Sequence, residues 1–324
     1  MDRINVAFAS NEAYSQGLLI SLSSMAMYVS KEATLNVYII DGGMLDSTYD
    51  NLVLKVSKFH KNITFSRYVL SGSDTQGFPL WRGNTLTYAR YKLPELLKDE
   101  EYVIYSDVDT LWLANVEELW RQRTPRYAVL GVHDELAIKS EPEWWEKHGY
   151  EYKDEKYFNA GILLMNLVFF RKEDIVNKCR DVICKHRDIL YPDQTALNIV
   201  LQKSVMIIDD RWMRFTWCLR KDDTCKDVVF HYAGDVPWKR NKWFLPITDP
   251  VMLWYKVYAE VYEKALWQSL RDYLSIRDIL RGRLVYYLSN TYVVGRMWGL
   301  MMALVNRSKA WQLVVRMCQP LHGR

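Results

Sequence analysis

The sequence predicts an α/β protein: a mostly parallel sheet with helices on its faces, followed by a helical tail. Three observations carry that class. Over the first 110 residues, short apolar runs alternate with longer segments of helical spacing, the order that builds parallel sheets. The chain has 324 residues, 49% hydrophobic and 25% charged, which supplies a sizeable core and excludes disordered, collagen-like and disulfide-scaffold classes. Past residue 250 the strand signals stop and helical patterns take over.

Residues 6–9 are a short apolar run, the first strand. Residues 14–28 place Leu18, Leu22, Met25 and Ala26 on one helical face. Residues 35–40 are rich in β-branched side chains and predict a second strand, 45–59 a second helix, and 63–70 a third strand. A third helix is predicted over 85–97, with the polar exit Lys98-Asp99-Glu100-Glu101, and a fourth strand over 102–105. In such a sheet, ligands bind beyond the carboxyl ends of the strands. Residues 127–132 and 161–167 read as strands, with a loop-rich stretch over 141–157 between them. Residues 171–189 predict one helix, and 205–208 and 228–231 two short late strands. Pro237, Pro246 and Pro250 punctuate the exit from the body, which places a boundary near 250. Helices are predicted over 251–265, 270–280 and 284–305.

The net charge of +4, from 43 basic and 39 acidic residues, gives no reason to expect a nucleic-acid partner. That total conceals a split. From 251 to 324 there are 11 basic and 4 acidic residues, against 32 and 35 before that point, and no acidic residue follows Asp278. Five cysteines (179, 184, 218, 225 and 318) at irregular spacing, with no Cys-x-x-Cys pair, disfavour zinc knuckles and disulfide frameworks. A reducing compartment is expected, and no signal peptide, because the chain enters a strand-like run at once.

The sharpest local feature is Asp107-Val108-Asp109-Thr110 after the apolar strand at 102–105. Two carboxylates one residue apart repel unless a cation lies between them, so the physical reading is a divalent metal site. The ordinary alternative is a solvated, Asp-rich turn. Two enzyme classes place this pattern at a strand end. One is the nucleotide-sugar glycosyltransferases. The other is the phosphatases and phosphotransferases of the haloacid dehalogenase type, in which Asp107 would be a nucleophile and Asp209-Asp210 the downstream metal ligands. In that second class the motif normally opens the core domain, whereas three βα units precede it here.

Five further segments, in order, resemble one family. These are Val6-Ala7-Phe8-Ala9-Ser10-Asn11-Glu12-Ala13-Tyr14, then Gly77-Phe78-Pro79-Leu80 with Thr87-Tyr88-Ala89-Arg90-Tyr91-Lys92-Leu93. Phe158-Asn159-Ala160-Gly161 through Leu167, Tyr191-Pro192-Asp193-Gln194-Thr195-Ala196-Leu197, and Val229-Phe230-His231-Tyr232-Ala233-Gly234 through Lys239 complete the set. From residue 1 to about 241 the chain is similar to glycosyltransferase family 8, the retaining enzymes that include lipopolysaccharide galactosyl- and glucosyltransferases and glycogenin. The resemblance implies a GT-A type, Rossmann-like mixed sheet as a catalytic domain over 1–250, with the basic, aromatic tail over 251–324.

It also implies roles. Asp107, Asp109 and His231 would hold Mn²⁺, or Mg²⁺, against the two phosphates of a UDP-sugar; the ordinary role of His231 is a core histidine at a strand end. Arg90 would add positive charge near the phosphates, its ordinary role being a surface ion pair. Ala9, Asn11 and Tyr14 would wall the uracil, which an amide suits, although Ala13 stands where the family commonly has asparagine; Ser10 or Asn11 would otherwise be a helix cap. Val108, Ala160 and Gly234 would complete the nucleotide-sugar contacts. Asn159, Asp193 and Gln194 would line the donor sugar, Gln194 stabilising an oxocarbenium-like centre in a front-face substitution; otherwise Asp193-Gln194 is a helix N-terminus. The family's phosphate-contacting lysine precedes Pro-Trp, whereas here Lys239 follows Pro237-Trp238, leaving Lys239, Arg240 and Lys242 as candidates.

The run at 284–305 contains Ser289, Asn290, Thr291 and Arg296, which disfavours a spanning helix. Arg281, Arg283, Arg296, Arg307, Lys309 and Arg316, with Trp298 and Trp311, suit helices lying on an anionic membrane surface. The ordinary alternative is packing on the body or on a second subunit. The expected function is transfer of galactose or glucose from its UDP donor to a sugar hydroxyl of a bacterial surface glycan, at the cytoplasmic face of the membrane. Acceptor contacts are expected from 141–157, with Asp134 as a sugar contact. A non-catalytic sugar-binding module with a membrane anchor is the remaining alternative.

Overall fold

Strand β1 (Arg3–Ser10) is buried from Ile4 onward because both of its faces meet side chains. Ile4, Val6 and Phe8 enter one apolar cluster, and Ala7 and Ala9 the other. This computed structural model describes residues 3–289 except 73, 82, 136, 138–139, 217–224 and 240–246. Helix α1 (Ser15–Tyr28) leads to β2 (Thr34–Asp41), and α2 (Asp46–Val56) to β3 (Ile63–Val69). β2 pairs in parallel with both β1 and β3 along its length. The next crossover holds a 3₁₀ stretch, Leu86–Lys92, then α3 (Leu93–Leu96) and β4 (Tyr102–Ser106). The single helix predicted over 85–97 is therefore two pieces. Pro94 is tolerated only in a first turn, so α-helical geometry restarts there.

Then come β5 (Thr110–Trp112), α4 (Val116–Trp120), β6 (Val129–His133), α5 (Glu141–Lys147) and β7 (Phe158–Asn166). α6 (Leu167–Lys172), α7 (Ile175–Lys185), α8 (Pro192–Leu201), β8 (Val205–Ile208), β9 (Arg214–Phe215) and β10 (Val229–His231) follow. The last helices are α9 (Asp249–Val261), α10 (Leu266–Arg271) and α11 (Ile276–Ser289). The main sheet runs β3-β2-β1-β4-β7-β6-β8 and a small one runs β5-β10-β9. β4 pairs in parallel with β1, whereas β7 is antiparallel to both β4 and β6, so the sheet is mixed.

Three other predictions need correcting. The stretch 141–157 is not simply loop, since α5 buries Trp144 and Trp145 against Tyr157 and Ile189. The helix over 171–189 is broken at Asp174, whose φ of 50° is a left-handed conformation that Asp tolerates better than most residues. The helix over 270–280 is likewise divided between α10 and α11.

Helix α1 lies between the main sheet on one side and β5 and α9 on the other, and is buried from Gly17 to Ala26. Its serines tie it to the small sheet: Ser21 Oγ is 2.7 Å from Thr110 Oγ1, and Ser24 Oγ accepts from the Trp112 amide at 3.0 Å. Past residue 250, Trp254, Tyr255 and Tyr258 of α9 and Leu270 of α10 are buried in the same cluster as β1 and α1. Packing on the body is thus the role of α9 and α10. No described helix is long and apolar enough to cross a membrane, and most of the run at 284–305 lies outside the described residues. Cys179 and Cys184 are free thiols.

Candidate active site

β4 ends at Ser106, and the chain turns through Asp107-Val108-Asp109 into β5. Val108 is buried in the core, so the acids at i and i+2 share the opposite side. Both ends of this turn are fixed. The Asp107 amide donates to the Gly161 carbonyl at 2.7 Å, Thr110 Oγ1 donates to the Asp107 carbonyl at 2.9 Å, and the Tyr232 amide donates to the Asp109 carbonyl at 2.8 Å.

β10 pairs with β5 so that His231 lies opposite Thr110. Its Nε2 is 3.2 Å from Asp109 Oδ1 and 3.8 Å from Asp107 Oδ2, and its ring stacks on Phe215. Ligand atoms of the three side chains lie within 4.8 Å of one another. Residue 161 must be small for this to occur, because a Cβ there would stand 2.5 Å from His231 Cε1. Burial and the charge of Asp109 raise the Asp107 carboxyl, with Arg90 and His231 opposing. Burial also acts to raise Asp109, but the charge and hydrogen bond of His231 outweigh it and hold that carboxyl low. Burial opposes charge on His231, yet Asp109 and Asp107 hold it above the usual imidazole range. The two carboxylates therefore draw in positive charge, and a donor set of two carboxylates and one imidazole fits a divalent cation.

Arg90, from the 3₁₀ stretch, is almost wholly buried, contrary to a surface ion pair. Its Nη2 is 3.1 Å from Asp107 Oδ1 and 3.2 Å from Asp193 Oδ2; its Nη1 donates to the Ala160 carbonyl and its Nε to that of Thr87. The guanidinium lies 4.4 Å over the Tyr105 ring, and the Tyr105 hydroxyl donates to Asp107 Oδ1 at 2.9 Å. Arg90 thus joins the carboxylate turn to the start of α8. Pro192 is in the first turn of that helix, where it needs no donor, and Asp193 follows it. The helix N-terminus offered as an alternative for Asp193-Gln194 is real, and Asp193 also reaches Arg90 beside the cluster.

Gln194 Oε1 accepts from the Ala160 amide at 3.0 Å, and Gln194 Nε2 donates to Asp134 Oδ2 at 2.9 Å. Asn159 Nδ2 donates to the same Asp134 oxygen at 2.8 Å, while Asn159 Oδ1 accepts from the Gly161 amide. Asp134, expected as a sugar contact, is the pivot that orients both amides. Its strand-end position after β6 repeats that of Asp107 after β4, which is the sequence signal for it. Glu141 was not singled out by the sequence. Wholly buried, its Oε2 accepts from Trp145 Nε1 and Thr195 Oγ1, joining α5 to α8 behind Gln194.

The third group is the wall formed by residues 9–14. Ala9 is buried, and Asn11 Oδ1 is buried with no hydrogen-bond partner among the described residues. Neither Ser10 nor Asn11 caps a helix through its side chain. Tyr14 meets Trp238 edge-on, and Lys239 Nζ lies 3.7 Å from the centre of the Tyr14 ring. Gly234, at φ 89°, supplies the left-handed turn between His231 and that lysine. Arg240 and Lys242 lie outside the described residues. Asp209 caps a short turn and Asp210 pairs with Arg214, so neither joins the Asp107 cluster.

The profile described as glycosyl transferase family 8 matches residues 5–242. A putative glycosyltransferase of Haemophilus influenzae is 29% identical over 71% of each chain. A lipopolysaccharide 1,3-galactosyltransferase of Salmonella typhimurium is 22% identical over 73% of each. Among solved structures, the galactosyltransferase LgtC in complex with donor and acceptor sugar analogues superposes with a TM-score of 0.68 at 23% identity, covering 79% of this chain and 96% of its own. That likeness shows the GT-A fold. With the profile spanning all five convergent segments, the chain belongs to glycosyl transferase family 8 and is a glycosyltransferase.

Proposed function

We propose that the protein is a retaining, metal-dependent hexosyltransferase. It moves galactose or glucose from a UDP-sugar to a sugar hydroxyl of a bacterial surface glycan such as lipopolysaccharide or capsule. The observation that carries this reading is the cluster of Asp107, Asp109 and His231, joined through Asp107 to a buried Arg90 that also holds Asp193. The Salmonella relative, a lipopolysaccharide galactosyltransferase by name, supports the choice of sugar and acceptor class.

Asp107, Asp109 and His231 would hold Mn²⁺, with Mg²⁺ as the substitute, and the bound ion would supply positive charge to a diphosphate leaving group. Asn11 presents its unpartnered carbonyl oxygen to the uracil N3–H, with Ala9 and Tyr14 completing the wall. Lys239 and Arg90 supply positive charge to the donor, with Val108, Ala160 and Gly234 lining its path. Asn159 and Asp193 bind sugar hydroxyls. Gln194, held at both ends, presents its amide dipole to the positive charge that develops on the sugar, and the diphosphate takes the acceptor proton.

Residues 1–250 hold every member of this site, and the tail places the enzyme at the cytoplasmic face of an anionic membrane. Support comes from α11, where Ile276, Leu280, Leu284 and Tyr287 are exposed along one face with Arg277 and Arg281 beside them. The test is UDP release from a panel of UDP-sugars with and without Mn²⁺, counting slow hydrolysis as turnover. Release from UDP-galactose or UDP-glucose supports the reading. Inert UDP-sugars together with cleavage of para-nitrophenyl phosphate would establish a phosphotransferase instead, and UDP binding without turnover a non-catalytic module.

A further inference from the structure

Away from the active site, His148, His186 and Asp188 also bring ligand atoms within 4.8 Å of one another. His148 ends α5, His186 ends α7, and Asp188 lies in the connection to α8. His148 Nδ1 is 2.8 Å from the Trp144 carbonyl. A carbonyl only accepts, so Nδ1 carries the proton. The remaining nitrogen, Nε2, faces Asp188 Oδ1 at 3.3 Å. In a neutral ring that contact sets two acceptors against each other, and it is favourable only with a proton or a cation between them. The backbone carbonyl behind the ring is also the partner that ligating histidines commonly use to fix their orientation.

His186 is buried, and its Nε2 shares a hydrogen bond with the Tyr150 hydroxyl at 2.9 Å. Trp144 stacks on His148 at 4.2 Å and meets His186 edge-on at 5.3 Å, so both rings are fixed by packing. The remaining neighbour is Lys147, whose exposed ammonium sits 3.2 Å from Asp188 Oδ2 and can swing into solvent.

We propose that His148, His186 and Asp188 form a second metal site, one that takes a borderline divalent cation of the Zn²⁺ type. Its donor set differs from that of the active site: two imidazoles and one carboxylate favour Zn²⁺, whereas two carboxylates and one imidazole favour Mn²⁺. Bound there, the ion links the ends of α5 and α7 to the segment that enters α8, four residues ahead of Pro192.

Zn²⁺ equilibrium dialysis and Co²⁺ visible absorption, on the full-length chain carrying Asp109→Ala to disable the first cluster, test this. One equivalent of Zn²⁺ and a Co²⁺ d–d band are expected. Adding His148→Gln should weaken binding by more than about 100-fold, beyond the loss typical of an outer-shell partner. Asp188→Asn should do the same, and serves if His148→Gln fails to fold. The proposal is overturned if the Asp109→Ala chain takes up no Zn²⁺, or if uptake survives both ligand substitutions.

Discussion

Replacing Arg90 by methionine keeps most of the stem volume and removes the cation that Asp107 and Asp193 share. At 3.1 and 3.2 Å from Asp107 and Asp193, each contact is worth about 5 kcal/mol at an effective dielectric of 20. Most of that gross attraction offsets the cost of desolvating the guanidinium, so the sum is not the stability change. What the substitution exposes is the other side of the account. Asp193 keeps its burial and loses its counter-charge, and the Ala160 and Thr87 carbonyls lose a donor. Breaking a buried pair in this way costs about 3–5 kcal/mol, which in a chain of this size lowers the melting temperature by about 10 °C. Arg90→Lys should recover only part of the loss, because one ammonium cannot serve two carboxylates and two carbonyls in the same fork. Saturating Mn²⁺ should restore part of the Arg90→Met loss by neutralising Asp107, but not the part due to Asp193. Thermal unfolding by circular dichroism reads all three proteins. An Arg90→Met protein melting within about 2 °C of wild type, as a neutral surface change would, refutes the counter-ion argument.

Asp109→Ala should abolish Mn²⁺-dependent UDP binding; an unchanged affinity in calorimetry removes Asp109 from the site. Gly161→Ala places a methyl where His231 Cε1 lies, so Mn²⁺ affinity should fall sharply, with about 1–3 kcal/mol lost to overpacking; wild-type Mn²⁺ affinity would mean that His231 is not a ligand. Glu141 is held above its ordinary 4.5 by burial, which outweighs its hydrogen bonds from Trp145, Thr195 and Tyr157. A raised folded value means that its stabilisation is full below 4.5 and is lost as pH rises through that folded value. Glu141→Gln should therefore flatten the decline of melting temperature above pH 4.5, and an unchanged slope would show the carboxyl is not neutral in the fold. Leu284→Glu, in the exposed stripe of α11, should reduce sedimentation with anionic vesicles; equal binding would take α11 out of membrane contact.

Much of the fold was legible because burial on two faces leaves a plain mark. The runs that became β1 and β2 are nearly continuous apolar segments, and α1 carries Leu18, Leu22, Met25 and Ala26 on one face. The breaks were harder to see. Asp174 ends one helix and begins another through a single left-handed residue, which no composition signal announces. Trp144 and Trp145, among charged neighbours in sequence, bury themselves by packing on Tyr157 and Ile189, which lie far along the chain. At the site, Asp107 and Asp109 were visible as a pair at a strand end, and His231 only through the resemblance. The part played by Asp134 depends on a convergence with Asn159 and Gln194 that no local window contains.

In the order Pro237-Trp238-Lys239 the lysine follows the tryptophan, so the packing of the indole sets where it emerges. Trp238 is buried against α1, where a Cβ at Gly17 would stand 2.4 Å from its ring, and it stacks on Trp254 of α9. The indole therefore anchors the chain between α1 and α9, and the next residue emerges at the edge of that packing. That edge is Tyr14, and Lys239 lies on it. Burial holds the Lys239 ammonium below its usual range, so it loses part of its hydration in the fold and gains from meeting an anion. A lysine placed after the tryptophan thus reaches the same wall as Asn11, provided that Gly17 leaves room for the indole. Lys239→Met should consequently weaken UDP affinity while Mn²⁺ binding by Asp107, Asp109 and His231 stays intact, whereas Gly17→Ala, whose Cβ would also stand 2.9 Å from the Val108 carbonyl oxygen in the carboxylate turn, should disturb both. An unchanged UDP affinity in Lys239→Met would remove this lysine from the donor wall.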